Sequence, residues 1–260
     1  MSPPDITTAA RRIRLLMKLR RSGITDRAVL GAIERIPREA FVPETFIDQA
    51  YEDIALPIGR GQTISQPLVV AAMTQAMKLS DRHKVLEVGT GSGYQAAILS
   101  RLCRRVYSIE RHRPLLDIAE ARFKQLRLHN ITTVAGDGMK GWPEQAPFDR
   151  IIVTAAASQE PPKALLDQLS IGGLLVIPLG KQNGDQFIYR ITRTEDGYES
   201  EKMMPVRFVP LLPDIAPDNL EETESPHKTA QKNNPPPKEE TAKENEFSLP
   251  FAGDLSLAGI

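Results

Sequence analysis

The segment Gly89-Thr90-Gly91-Ser92-Gly93 has the residue types and spacing that most directly suggest chemistry in this sequence of 260 residues. It follows Val85-Leu86-Glu87-Val88, which reads as a strand, and precedes a helical pattern that starts at Gln95. Glycines at a strand-to-helix turn let the backbone pass close beneath a ligand and adopt dihedrals that a Cβ would forbid. Helix amides behind the turn favour an anionic group on the ligand. Many nucleotide binders share such a turn, so alone it is a weak signal. The Gly-x-Gly-x-Gly spacing differs from the Gly-x-Gly-x-x-Gly of a dinucleotide site, and the Gly-Lys-Ser/Thr ending of a phosphate-binding loop is missing.

Two acidic residues narrow the reading. Glu110 ends the strand-like run Val106-Tyr107-Ser108-Ile109, where a carboxylate can accept hydrogen bonds from both hydroxyls of an adenosine ribose. Asp137-Gly138 ends the next strand, where a carboxylate can accept from an adenine amino group. Acids at two successive strand ends beside a Gly-rich turn point to a nucleoside cofactor lying across the carboxyl ends of a sheet. Ser65, followed by Gln66-Pro67 and an apolar run, reads as a helix N-cap.

The elements needed to position these residues are visible in the pattern. Strands are expected over Lys84-Val88, Arg104-Ile109, Thr132-Ala135, Arg150-Thr154 and Leu174-Pro178, with helical stretches between them. Two more, Gln186-Thr192 and Tyr198-Phe208, suggest an antiparallel closing hairpin. The fold class is α/β, a doubly wound and mostly parallel sheet. Residues 1–60 form a helical extension expected to pack on the catalytic domain, with a helix start at Thr25-Asp26. Residues 61–213 form the cofactor-binding domain. Residues 214–260 are Pro-rich and charged, and too poor in apolar residues as far as Glu246 to offset their ordering entropy, so a disordered tail is expected. Its apolar end, Phe247 to Ile260, suggests docking on an unknown protein partner.

Composition excludes several classes. Lys plus Arg and Asp plus Glu are both 33, so no global field draws in nucleic acid or an anionic membrane. The Arg11 to Arg21 cluster reads as a solvated basic helix face. One cysteine, Cys103, cannot form an internal disulfide, which fits a reducing cytoplasm. His83, His112, His129 and His227 are too scattered for a zinc site, so no metal is expected. A Gly-x-Ser-x-Gly hydrolase elbow is absent, and Thr154-Ala155-Ala156-Ala157 stands where an amine methylase of DNA carries Asn/Asp-Pro-Pro-Tyr.

The sequence closely resembles the protein-L-isoaspartate O-methyltransferases, in their bacterial form, from about Arg11 to Leu211. The resemblance rests on Gln62-Thr63-Ile64-Ser65-Gln66-Pro67, the run 85–94, Ala135-Gly136-Asp137-Gly138, Phe148-Asp149, Pro178-Leu179-Gly180 and Val209-Pro210-Leu211. Pro37-Arg38-Glu39-Ala40-Phe41-Val42-Pro43 belongs to it as well. It implies a Rossmann-like methyltransferase that uses S-adenosyl-L-methionine to methylate the free α-carboxylate of L-isoaspartyl residues in damaged proteins and peptides, after which the ester collapses to a succinimide. It implies Ser65 as the active-site serine, and Gly89, Gly91, Gly93, Glu110, Asp137 and Gly138 as cofactor contacts. Gln62, Thr63 and Ile64 fall in a segment covering cofactor and substrate, with Ile64, Ser65 and Val209 toward the substrate. A scaffold that binds the cofactor without catalysis and acts through its tail is the competing reading. The resemblance says nothing of residues beyond Pro213.

Overall fold

A computed structural model describes residues 6–217. Strands β1 (Leu56–Gly59) and β2 (Gln62–Ile64) form a small hairpin. Strands β3 (Lys84–Val88), β4 (Arg105–Glu110), β5 (Ile131–Ala135), β6 (Phe148–Val153), β7 (Leu169–Leu179), β8 (Gln186–Arg193) and β9 (Tyr198–Val206) form one sheet in the order β5-β4-β3-β6-β7-β8-β9. The pairs from β5 across to β7 are parallel, while β7/β8 and β8/β9 are antiparallel. After β5 the chain returns to the other side of β3. That reversal opens a crevice at the carboxyl ends of β3 and β6, where ligands of such sheets bind.

Alternation along the strands feeds two apolar layers. Val85, Val106, Ile152 and Val176 face helices α1 (Ile6–Arg21), α2 (Arg27–Arg35), α3 (Pro67–Ala76), α4 (Tyr94–Leu99) and α5 (Arg113–Gln125). Leu86, Val88, Ile151 and Leu175 face Leu165 of the short α6 (Lys163–Asp167) and its surroundings. Leu15, Leu19, Val29 and Ile33 of the first two helices join the first layer, so the amino-terminal helices share the core of the sheet. Asp26 caps α2 by accepting from the amides of Ala28 and Val29.

Three local differences from the sequence expectation have physical reasons. The β1/β2 hairpin was not expected, because two very short strands carry little periodicity. Its turn residues Arg60 and Gly61 both have positive φ, 55° and 67°, as two-residue hairpin turns require. Strand β7 begins at Leu169 rather than Leu174: the strand passes through Gly172-Gly173 with a shift in register against β6. Strand β9 ends at Val206, before Phe208, whose amide donates to the Gln186 side chain at 2.7 Å instead of continuing the ladder.

The expectation of a disordered tail from Asp214 onward is corrected for residues 214–217. Ala216 is buried, and its amide donates to the Arg111 carbonyl at 2.9 Å. The Arg111 guanidinium donates to the carbonyls of Asp214 at 3.2 Å and Pro213 at 3.3 Å. These bonds continue the domain past the apparent change in composition. The rest of that expectation, and the apolar run Phe247 to Ile260, lie outside the described residues. No helix among the described residues is long and apolar enough to cross a membrane.

Candidate active site

The cleft at the sheet's carboxyl edge has a floor, Gly89 to Ser92, that follows directly from β3. Gly89 has φ +97°, and a Cβ there would lie 2.4 Å from Thr154 Oγ1. Thr154 needs that proximity, since its hydroxyl donates to the Gly89 carbonyl at 2.7 Å. Gly93 closes the turn with φ +88° and lies against the Phe123 ring, where a Cβ would sit 2.8 Å away. Gly93 therefore serves the packing of α4 on α5, and it does not line the cleft. The turn also uses its own amides: Gly93 donates to the Thr90 carbonyl, and Tyr94 to Ser92 Oγ. With α4 only six residues long, the helix contributes less to anion binding than the sequence suggested.

Glu110 ends β4 and is 4% exposed. One carboxylate oxygen accepts from the Gly91 amide at 2.8 Å and the other from the His112 amide at 2.9 Å. Burial raises its pKa above the ordinary carboxylate value, and the backbone bonds from Gly91 and His112 oppose that rise. A carboxylate has about four lone-pair sites, so two remain for paired hydroxyls of a ribose. Beneath the turn, Glu87 is fully buried and accepts from Ser108, which in turn bonds Thr90 Oγ1 at 2.6 Å. Burial pushes the Glu87 carboxyl up to about 8.

Gln62, Thr63, Ile64 and Ser65 form one wall of the cleft; Val209 to Leu212 form the facing wall. The Val209 carbonyl accepts from Ala156 at 2.8 Å, and the Leu211 amide donates to the Ala156 carbonyl, which ties this wall to the end of β6. The cleft holds about 910 Å³ of non-atom space, counted out to its open mouth.

Of the residues singled out in the sequence, Gln62, Thr63, Ile64, Ser65, Gly89, Gly91, Glu110, Gly138 and Val209 all line this one cleft. Asp137 does not. Its carboxylate accepts from the Met139 amide at 2.9 Å and meets Lys140 Nζ at 3.4 Å. Burial alone would raise its pKa, but the amides of Asp214 and Met139 and the Lys140 ammonium bring it below the usual value. The N-cap reading of Ser65 is also corrected: the cap position of α3 is Gln66, which makes no side-chain cap bond. Asp53, distant in sequence, accepts from the Leu68 amide at 2.8 Å instead.

Comparisons with known proteins agree with this geometry. Residues 10–215 match the model of the family described as Protein-L-isoaspartate(D-aspartate) O-methyltransferase. The chain belongs to that family. A protein-L-isoaspartate O-methyltransferase of Rhodospirillum centenum is 66% identical over 213 residues, covering 82% of this chain and 96% of the relative. One from Rhodospirillum rubrum is 60% identical, covering 82% and 97%. A Plasmodium falciparum protein, described as a protein-L-isoaspartate O-methyltransferase and solved with S-adenosyl-L-homocysteine, superimposes with a TM-score of 0.67 at 27% identity, over 76% of this chain and 97% of that one.

As a member of the family, the protein is a methyltransferase whose methyl donor is S-adenosyl-L-methionine. The residues present fit that donor: a buried carboxylate with free lone pairs at one end, and a glycine floor across the middle. Arg38 stands in the family-like run 37–43 with no role attached to it, and Asp53, Arg111 and His112 were not singled out in the sequence. Arg111 and His112 line the cleft beside Glu110, and only their position next to that acid could have flagged them. His112 has a pKa lowered by burial and by Arg111 and Arg60, and its Nε2 is buried without a partner.

Proposed function

We propose that Ser65 orients the free α-carboxylate of an L-isoaspartyl residue in the cleft, and that damaged proteins and peptides carrying such residues are this enzyme's substrates. The observation that carries this reading is the placement of Ser65 in the wall of the same cleft whose floor and Glu110 end fit the donor, without a role in capping α3. When bound, S-adenosyl-L-methionine supplies an electrophilic methyl group. An α-carboxylate has an unperturbed pKa of roughly 3.3–3.7, so at neutral pH it is ionised and no general base is needed. What remains for the protein is positioning, a near-attack distance of roughly 3–3.5 Å and partial removal of water. Ser65 serves as a hydrogen-bond donor and not as a nucleophile. Glu110 holds the ribose, Gly89, Gly91 and Gly138 admit the donor's backbone-facing side, and Gln62 to Ile64 cover donor and substrate. Val209 flanks the substrate on the opposite wall. Gly93 and Asp137 support the site through packing and backbone bonds. A cytoplasmic location accords with a single, buried Cys103, whose thiol burial pushes up to about 12.

The test is methyl transfer to an isoaspartyl peptide, with the aspartyl isomer as control, in wild type and Ser65→Ala. Turnover restricted to the isoaspartyl peptide is expected, and a kcat at least tenfold lower in the variant at unchanged melting temperature. A helix-capping serine would instead cost about 1 kcal/mol of stability with normal turnover. Normal kcat in Ser65→Ala would retire the orienting role.

A further inference from the structure

Arg38 lies in the short turn Arg38–Phe41 after α2, and its side chain is completely buried. Nη2 donates to the Ser65 carbonyl at 2.9 Å and reaches the Ile54 carbonyl at 3.5 Å. The guanidinium carbon lies 4.9 Å from the centroid of the Tyr94 ring, on the residue that follows the Gly-rich turn. Among the described residues, Nε and Nη1 have no hydrogen-bond partner. A residue that only filled this space would be apolar, because an incompletely satisfied buried cation is costly.

Asp53 completes the arrangement from the other side. Its side chain is 3% exposed; one oxygen accepts from the Leu68 amide at 2.8 Å, and the other meets Lys18 Nζ at 3.2 Å. The segment from Ser65 to Leu68 is thus held at its first carbonyl by a cation and at its last amide by an anion, both from earlier parts of the chain. We propose that Arg38 and Asp53 are positioning residues that fix Ser65 against the substrate carboxylate. The inference rests on the orienting role of Ser65 given above. Burial draws the guanidinium pKa down, opposed by Tyr94 and Asp53.

The experiment uses the full chain and steady-state kinetics on an isoaspartyl peptide, with donor affinity by calorimetry and melting temperature on the same samples. Arg38→Met is expected to raise KM for the peptide at least tenfold and to lower kcat, with donor affinity within twofold of wild type. Arg38→Lys, which keeps a donor for the Ser65 carbonyl, should recover part of both. Asp53→Ala should lower kcat several-fold, whereas Asp53→Asn, which keeps an acceptor for Leu68, should stay near wild type. Combining Arg38→Met with Ser65→Ala should be no worse in kcat than the more severe single change, as expected of residues acting through one another. A folded Arg38→Met with wild-type KM and kcat overturns the proposal, as does a parallel loss of donor affinity. If Arg38→Met does not fold, equal kinetics for Asp53→Ala and Asp53→Asn overturn it. Normal kinetics in Ser65→Ala, with Arg38→Met impaired, refute the role of Ser65 and positioning through it together. Impaired Ser65→Ala with normal Arg38→Met refutes positioning alone.

Discussion

The turn at Gly89–Gly93 and the turn at Ser65–Pro67 line or border the same cleft, but they are held in different ways. The first is fixed largely from within: positive φ at three glycines, the Gly93 amide donated to the Thr90 carbonyl and the Tyr94 amide to Ser92 Oγ, with Glu110 accepting from Gly91 and Thr154 donating to the Gly89 carbonyl from outside. The second has no such internal device. It is held by Arg38, 27 residues before Ser65, and by Asp53, 15 residues before Leu68. A backbone-built floor suits a donor that is the same in every turnover. A wall built from remote side chains can adjust its charge and hydrogen bonding to the substrate without disturbing that floor. On this view, changes in the first turn should lower stability and donor affinity, and changes behind the second should fall on peptide kinetics.

The largest expected effect comes from adding a methyl group to the first turn. Gly93→Ala forces a side chain into φ +88° and against Phe123 at 2.8 Å. Backbone strain and overpacking together should cost about 2–5 kcal/mol. At about 2–4 °C per kcal/mol for a domain of this size, the melting temperature should fall by roughly 10 °C. Adding Phe123→Leu should return part of the loss, because the smaller side chain relieves the clash but not the strained φ. At the matching cap position of the second turn, Gln66→Ala should change stability by less than about 0.5 kcal/mol, since Gln66 makes no cap bond. Thermal melts that show equal losses at Gly93 and Gln66 would erase the contrast between the turns.

A middle-sized effect separates donor from substrate. Glu110→Ala removes the acceptor that fits the ribose and should weaken S-adenosyl-L-methionine by about 1.5–3 kcal/mol, the scale of hydrogen bonds to a charged group. Calorimetry on the folded variant decides the matter: unchanged donor affinity would remove Glu110 from the ribose assignment. KM for the peptide at saturating donor should stay close to wild type, the reverse of the pattern expected for Arg38→Met.

The same contrast explains what could be read from the sequence. The floor was legible because its rules are local: glycine spacing, an apolar strand before it and an acid at the next strand end each act within a few residues. The parallel sheet was legible for the same reason, through Val85, Val106 and Ile152 in short apolar runs. Arg38 and Asp53 were not, because a charged residue on a helical stretch reads as solvent-facing until tertiary contacts bury it. Asp137 was legible as an acid at a strand end, but the contacts its carboxylate makes were not. Its place at a strand end suggested a ligand; in the fold its carboxylate also receives the Met139 amide and faces Lys140. The β1/β2 hairpin escaped notice since three- and four-residue strands fall below the length at which alternation is informative.

The smallest expected effect lies at the adenosine end, where composition suggested that the domain stops at Pro213. Asp214 and Ala216 make four backbone or ionic contacts of modest quality there: the Asp214 carbonyl with Arg111, the Asp214 amide with Asp137, Lys140 Nζ with Asp214 at 3.8 Å, and the Ala216 amide with the Arg111 carbonyl. The ion pair is exposed on both sides and contributes little. The backbone bonds and the buried Ala216 together should be worth about 1 kcal/mol. A chain ending at Pro217 should therefore melt and bind donor like the full chain. One ending at Pro213 should melt about 2–4 °C lower. Its donor affinity should fall several-fold, because Arg111 lines the cleft and loses the Asp214 carbonyl and the Ala216 amide that help orient it. Kinetics on the isoaspartyl peptide at saturating donor should not distinguish the two truncations. Identical melting and affinity for both would mean that Asp214–Ala216 rests on the domain without supporting the site. A loss already present in the chain ending at Pro217 would instead assign a structural contribution to residues 218–260.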